Sequence, residues 1–477
     1  MVRRSVVPAA IASAMIILLF GAPTRADKRL FTDAFPPAEF TARRAQVMAS
    51  IGDGVAVITG ATEQPNYDKF KQNKQFFYLC GVEVPRAILL IDGQSKRSTL
   101  FLPARNPGMD RSEGPLLAPG EEAAKITGIE AVVDRAGFDA AIKAIAAQAR
   151  HIYMPFRQES IGAVAIDRVR PSERAIAEDP WDGRKSKEAV FREKVQAVAL
   201  KSEIVDLDQV LDRMRVVKSP AEIALVREAT RIAGLAILEG MKAAEVGMYE
   251  YEIEAIGDYV FKKYNAMGIG YYALVATGTN AFWPHYHAAQ SRLADGDLVL
   301  YDYAPEFKYY TSDVTRMFPA NGRFSPRQRE MYGIYLKLYQ ALMASIGPGP
   351  ADARLKAAHA KMTAVLQAFT FADPKVKTAA EAFVAQYAKG GRSFGHGVGL
   401  EVHDVNGGFD GNYRPGMIFT IEPALTIPDE RIYVRLEDVI LITETGYENL
   451  SAGLTMEIDG IEKAMKEPGL SAFWKNR

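Results

Sequence analysis

The sequence is poor in cysteine, in histidine and in net charge, and each shortage narrows what the chain does. Cys80 is the only cysteine in 477 residues, so no intramolecular disulfide can form and stability must come from buried apolar area. Its neighbours Phe76-Phe77-Tyr78-Leu79 are apolar, which predicts a buried structural thiol rather than a reactive one. Lys and Arg together number 58, and so do Asp and Glu. With no basic surplus and no charged tail, the composition excludes a nucleic-acid partner. Internal repeats and low-complexity tracts are missing as well. Six histidines occur, and four of them fall in two short clusters, His285 with His287 and His396 with His403.

Long apolar runs are also scarce, with one exception at the N-terminus. Arg3 and Arg4 precede an apolar stretch from Val6 to Phe20, and Thr24-Arg25-Ala26 offers small residues around a cut after Ala26. This layout predicts a secretory signal peptide over residues 1–26 and export to the periplasm or medium. The competing expectation is an uncleaved membrane anchor. A span needs about 20 apolar residues, and Pro8 shortens the usable helix. Cleavage would remove Arg3, Arg4 and Arg25 and no acid, leaving a faintly acidic mature chain.

The length suits two domains. From 40 to 200, short apolar runs alternate with helical stretches. Gly54–Gly60, Arg86–Asp92, Ser98–Ala104 and His151–Phe156 read as strands, and Phe138–Arg150 reads as a helix. That alternation predicts an α/β domain. Pro171–Lys187, rich in Pro, Asp, Arg and Glu, reads as a loop near the boundary. Ser219-Pro220-Ala221-Glu222 then carries a capping box with proline at the first helical position, and Ser325-Pro326-Arg327-Gln328 repeats it before a helix ending at Gly347-Pro348. A second domain of helices and strands is expected over 215–465.

The chemistry gathers in that second domain. Leu298–Ala304 and Tyr309–Phe318 read as a hairpin turning near Phe307-Lys308, which sets Asp302 opposite Asp313. Met417–Ala424 and Ile432–Thr443 flank a turn at Pro428-Asp429-Glu430, which sets Glu422 opposite Glu437. Opposed side chains in an antiparallel pair have Cβ atoms about 5 Å apart. A single acid beside a strand is ordinarily a solvated edge charge. Two opposed pairs inside apolar strands call for a cation between them. His396, within Gly395-His396-Gly397-Val398-Gly399, adds a nitrogen where glycines allow close approach. Four carboxylates and one imidazole suit Mn²⁺, Co²⁺ or Zn²⁺. Two such ions would serve amide hydrolysis, with a carboxylate taking the proton of the attacking water.

These motifs resemble the pita-bread metallopeptidase family, which includes aminopeptidase P, prolidase and methionine aminopeptidase. The order of Asp302, Asp313, His396, Glu422 and Glu437 matches the ligand order of that family. Thr311–Arg316, Gly395–Asp404, Ile421-Glu422-Pro423 and Val434–Asp438 are similar to its separate motifs. Lys71–Gly81 resembles the N-terminal domain of the aminopeptidase P and prolidase branch, and Leu211–Glu222 its interdomain segment. The resemblance implies a creatinase/prolidase-type α/β domain followed by an α+β pita-bread catalytic domain. It implies cleavage of an Xaa-Pro bond, in peptides or dipeptides, with two ions resembling Mn²⁺ and a proline-containing substrate. It assigns His285 and His403 to substrate positioning and transition-state stabilisation and Arg435 to a supporting role near Glu437; from the chemistry of the site, Glu422 is the candidate general base. A homodimer or homotetramer is the expected assembly. The remaining alternatives are a non-peptidase enzyme or a metal-free peptide-binding protein on the same fold.

Two departures stand out. Tyr303-Ala304 follows Asp302 where the family usually has Ala-Gly, and a tyrosine there would crowd or reshape the substrate cleft. Arg392 stands where many members carry a histidine. It would either clamp a substrate carboxylate, favouring short peptides that end at the proline, or face solvent.

Overall fold

The Val- and Ile-rich runs of the N-terminal half pair into one six-stranded sheet in the computed structural model. The structure describes residues 30–148, 150–389, 393–405, 407–470 and 472. The expected leader, residues 1–26, and Arg392 lie outside those residues. Across the sheet the order is Ala131–Asp134, Arg97–Leu102, Ile88–Asp92, Val55–Thr59, Ile152–Met154 and Ile204–Asp206. The last strand carries the sheet past the boundary expected at residue 200. Alternation along Val55–Thr59 sends Val55 and Val57 to one face and Ala56 and Ile58 to the other. Ile142 and Ala146 of helix Phe138–Ala147 cover the first face, and helix Pro37–Ile51 covers the second. Cys80 is fully buried under this sheet, as its apolar neighbours predict.

One expectation for this half fails. Much of the stretch read as a loop, Pro171–Lys187, belongs to a helix, Ile166–Glu178, with Pro171 in its second turn. Proline there removes a backbone donor and disfavours a helix by propensity alone. Tertiary bonds overrule that preference. Arg170 reaches Asp206 at 3.4 Å and Asp208 at 3.5 Å, Asp167 reaches His403, and Val169 is buried.

In the second half, both serine capping boxes form as expected. Ser219 and Glu222 open helix Pro220–Ala243, and Ser325 and Gln328 open helix Pro326–Met343, which stops ahead of Gly347-Pro348. These helices back small antiparallel sheets. One contains Leu274–Thr277, Leu298–Asp302 and Thr315–Pro319; another contains Ile418–Ile421, Asp438–Ile442 and Tyr447–Asn449; Ala424–Ile427 pairs with Ile432–Arg435. A continuous apolar cluster joins the halves, and the ring of Phe77 stacks on Tyr309 at 3.8 Å. Among the described residues no helix is long and apolar enough to cross a membrane.

Candidate active site

The first hairpin turns one residue later than its sequence suggests. Phe307 and Tyr310 exchange backbone hydrogen bonds around Lys308 and Tyr309, whose φ angles are 49° and 73°. Two positive φ angles make a turn whose twist suits a hairpin but which usually calls for Asn and Gly. The register shifts accordingly. Asp302 faces Thr315, not Asp313, and Asp313 lies two residues before that partner. A shift of two keeps every side chain on its face, so the two aspartates still converge.

The second hairpin keeps the expected register. Ala424 pairs with Arg435 and Ile421 with Asp438, which leaves Glu422 and Glu437 level with each other in a gap between two ladders. The gap exists because Glu437 pairs elsewhere. Its amide donates to the Thr315 carbonyl at 3.1 Å, joining the two hairpins.

His396 completes the group from a loop. Its amide and carbonyl both face Thr420, and a Cβ at Gly395 would collide with the Thr420 backbone. Here glycine serves a close approach of two chains. The imidazole Nδ1 lies 3.1 Å from the Gly397 carbonyl, leaving Nε2 at 3.2 Å from Glu422 and 3.5 Å from Asp313. Behind this loop Arg215 pairs with Glu401 and Asp404, and Lys218 holds Asp404 at 3.0 Å. These buried ion pairs fix the segment that carries both His396 and His403.

Donor atoms of Asp302, Asp313 and Glu437 lie within 4.8 Å of one another, and so do those of His396, Glu422 and Glu437. Electrostatics shows what the cluster lacks. Burial, then repulsion from Asp302, pushes the Asp313 carboxyl well above the usual carboxylate range. Burial, then Asp313 and Glu422, does the same to Glu437. Glu422 goes the other way, to about 2. Burial opposes ionisation, but the His396 hydrogen bond and the Arg435 charge outweigh it. Arg435 hydrogen-bonds Asp302 and, at 3.2 Å, Glu422, and its charge also acts on Glu437, near which it is expected. One guanidinium does not balance four acids. Oε1 of Glu437 is buried with no hydrogen-bond partner, while Oε2 accepts from the Thr315 hydroxyl at 2.8 Å. An orphaned carboxylate oxygen among crowded hard donors fits divalent cations.

The cluster opens into a cavity of about 130 Å³ lined also by His285, His403, Tyr271, Tyr272, Leu274 and Val402. Its far wall is Ala163, Val164, Ala165 and Arg168 from the N-terminal half. Burial lowers the pKa of His285, with help from Arg168 and Arg435, and lowers that of His403, with help from His396. Tyr303 is not part of this wall. It is buried with its hydroxyl 2.6 Å from Asp258 and its ring against Phe261, because consecutive residues of an extended strand face opposite ways. Tyr303 therefore does not line the cleft, and it meets the cleft only through its edge-on ring contact with the wall residue Tyr271. Sequence reasoning missed Tyr271, which donates to Asp302, and Thr315, Asp167 and Arg168.

Comparison with known proteins places this geometry. Residues 224–444 match Metallopeptidase family M24, and residues 40–153 match the Aminopeptidase P, N-terminal domain. An Xaa-Pro aminopeptidase of Haemophilus influenzae is 30% identical over 453 residues, covering 90% of this chain and 97% of that protein. The chain belongs to metallopeptidase family M24. Among M24 members it groups with the Xaa-Pro aminopeptidases and dipeptidases. An Xaa-Pro dipeptidase of Pyrococcus horikoshii is 32% identical over 267 residues, 55% of this chain and 70% of that one. The solved proline aminopeptidase P II of Yersinia pestis superposes with a TM-score of 0.71 at 27% identity, covering 90% of this chain and 99% of that one. The fold is accordingly the M24 pita-bread domain behind an aminopeptidase P-type N-terminal domain.

Proposed function

We propose that this metallopeptidase is an exported Xaa-Pro aminopeptidase that works with two divalent cations. The observation that carries the proposal is the convergence of Asp302, Asp313, His396, Glu422 and Glu437 on a cavity, with one oxygen of Glu437 left without a partner. These five residues would hold the ions, Mn²⁺, Co²⁺ and Zn²⁺ being suited to the donors. When bound, the ions would polarise the scissile carbonyl and acidify the attacking water.

The chain's own residues divide the remaining work. Glu422 is the acid most open to the cavity, its side chain 28% exposed against 3% for Asp302 and 7% for Asp313. It is thus the carboxylate able to take a proton from a water beside the substrate. His285 and His403 stand at the cavity wall, where an imidazole can position the peptide bond and an N–H on one of the rings can stabilise a developing oxyanion. Val164, Leu274 and Val402 offer apolar surface for a pyrrolidine ring or its neighbour. Likeness to the aminopeptidases runs through both halves of the chain, whereas that to the dipeptidase covers about half, which favours longer peptides as substrates.

The test is to purify the mature protein, measure its metal content, and follow cleavage of Xaa-Pro, Xaa-Pro-Yaa and longer peptides with and without Mn²⁺. Metal-dependent release of the residue before proline, faster from the longer peptides, is the expected result. Full activity in Asp313→Ala or Glu437→Ala would overturn the site, and a preference for Xaa-Ala over Xaa-Pro would overturn the specificity.

A further inference from the structure

The first turn of helix Ile166–Glu178 reaches from the N-terminal half to both cleft histidines. The Ile166 N–H donates to the His403 carbonyl at 2.9 Å. Oδ2 of Asp167 lies 2.9 Å from Nδ1 of His403. Nη2 of Arg168 lies 3.1 Å from Nδ1 of His285, and its Nη1 donates to the Tyr272 hydroxyl at 3.2 Å. Successive residues on a helix point about 100° apart, so neighbours at 167 and 168 can each serve a different ring.

The two partners impose opposite roles on chemically equivalent nitrogens. A guanidinium has N–H donors and no acceptor, so Nδ1 of His285 must accept and its ring proton must sit on Nε2. An ionised carboxylate only accepts, so Nδ1 of His403 must donate, and in the neutral ring Nε2 is left as a lone pair. We propose that Asp167 and Arg168 are positioning residues that hold His403 and His285 in opposite tautomers, giving the cavity one N–H donor and one proton acceptor. A peptide bond presents both complements, a carbonyl oxygen and an N–H, so the pair would orient it in one direction. The catalytic half alone does not contain this information. The use of the two nitrogens on a peptide rests on the peptidase function proposed above, but the tautomers themselves do not.

Nitrogen-15 histidine labelling of the full chain, loaded with diamagnetic Zn²⁺, tests the inference directly. Long-range proton–nitrogen spectra distinguish the two tautomers, and His285→Gln and His403→Gln identify the signals. The expected pattern is a protonated Nε2 on His285 and a protonated Nδ1 on His403. Asp167→Ala should convert His403 to a mixture without touching His285, and Arg168→Ala should do the converse. Each should lower kcat on an Xaa-Pro peptide by tenfold or more while KM changes less than threefold, with Asp167→Glu recovering part of the loss. The same tautomer on both rings, unchanged spectra in both alanine variants, or an unchanged kcat would overturn it. An absence of Xaa-Pro cleavage in the wild type would count against the peptidase function, and the tautomers would then stand or fall on the spectra alone.

Discussion

Thr315 and Glu437 are joined three times over. Their backbones exchange two hydrogen bonds, at 3.1 and 3.4 Å, and the threonine hydroxyl donates to the glutamate at 2.8 Å. The contact locks one hairpin to the other and aims the remaining oxygen of Glu437 at the other acids.

Thr315→Val keeps the shape and the backbone bridge but removes the hydroxyl. Partners of metal ligands typically contribute about 10–100-fold in metal affinity. The expected result is a drop in Mn²⁺ affinity of that order, read by metal titration, with Thr315→Ser close to wild type. Unchanged affinity in the valine variant would show that the hydroxyl does not orient Glu437.

Stability in chelator should depend on pH in a definite sense. The folded-state pKa values of Asp313 and Glu437 are raised above their unfolded values, so their contribution is fully present below the unfolded value near pH 4 and is lost as pH climbs through the raised folded values. The melting temperature of chelated protein should therefore fall as pH rises above the unfolded carboxylate range near 4. Added divalent metal should raise it, and more at pH 8 than at pH 5, because ligands bind as anions. Thermal scans at several pH values, with and without metal, measure both trends.

Tyr303→Phe removes the bond to Asp258 and leaves the ring packed on Phe261. Stability should fall by about 0.5–1.5 kcal/mol with kcat and KM unchanged. Tyr303→Ala should cost about 3–5 kcal/mol through the cavity it leaves. A change of peptide preference in the phenylalanine variant would return Tyr303 to the cleft.

Tyr309→Phe tests how the halves are fastened. Its hydroxyl donates to Glu83 at 2.7 Å and accepts from the Gln72 amide at 3.0 Å. Losing it strands a buried donor, at a cost of about 1–3 kcal/mol, visible as a lower urea midpoint.

The proposed export predicts that N-terminal sequencing of the mature chain begins at Asp27, the residue after the small-residue cut.

Much of the site was legible in the chain because its signals are local. The capping boxes need only neighbours three residues apart, and the Glu422–Glu437 register follows from a turn marked by Pro428 and Asp429. The first hairpin misled because Lys308 and Tyr309 hold positive φ without the Asn or Gly that announces it. Asp167 and Arg168 were illegible for another reason. Their partners lie 236 and 117 residues away, and Pro171 disguised the helix that carries them. The place of Tyr303 beside a ligand said nothing about which way its ring turns, which only the fold supplies.

The stacking of Phe77 on Tyr309 within one unbroken apolar cluster has a practical corollary. Cutting the gene near residue 215 would expose oily surface on both fragments and remove a wall of the cavity, so the halves should lose solubility when expressed apart. Engineers who wish to graft this chemistry elsewhere would have to move the whole chain.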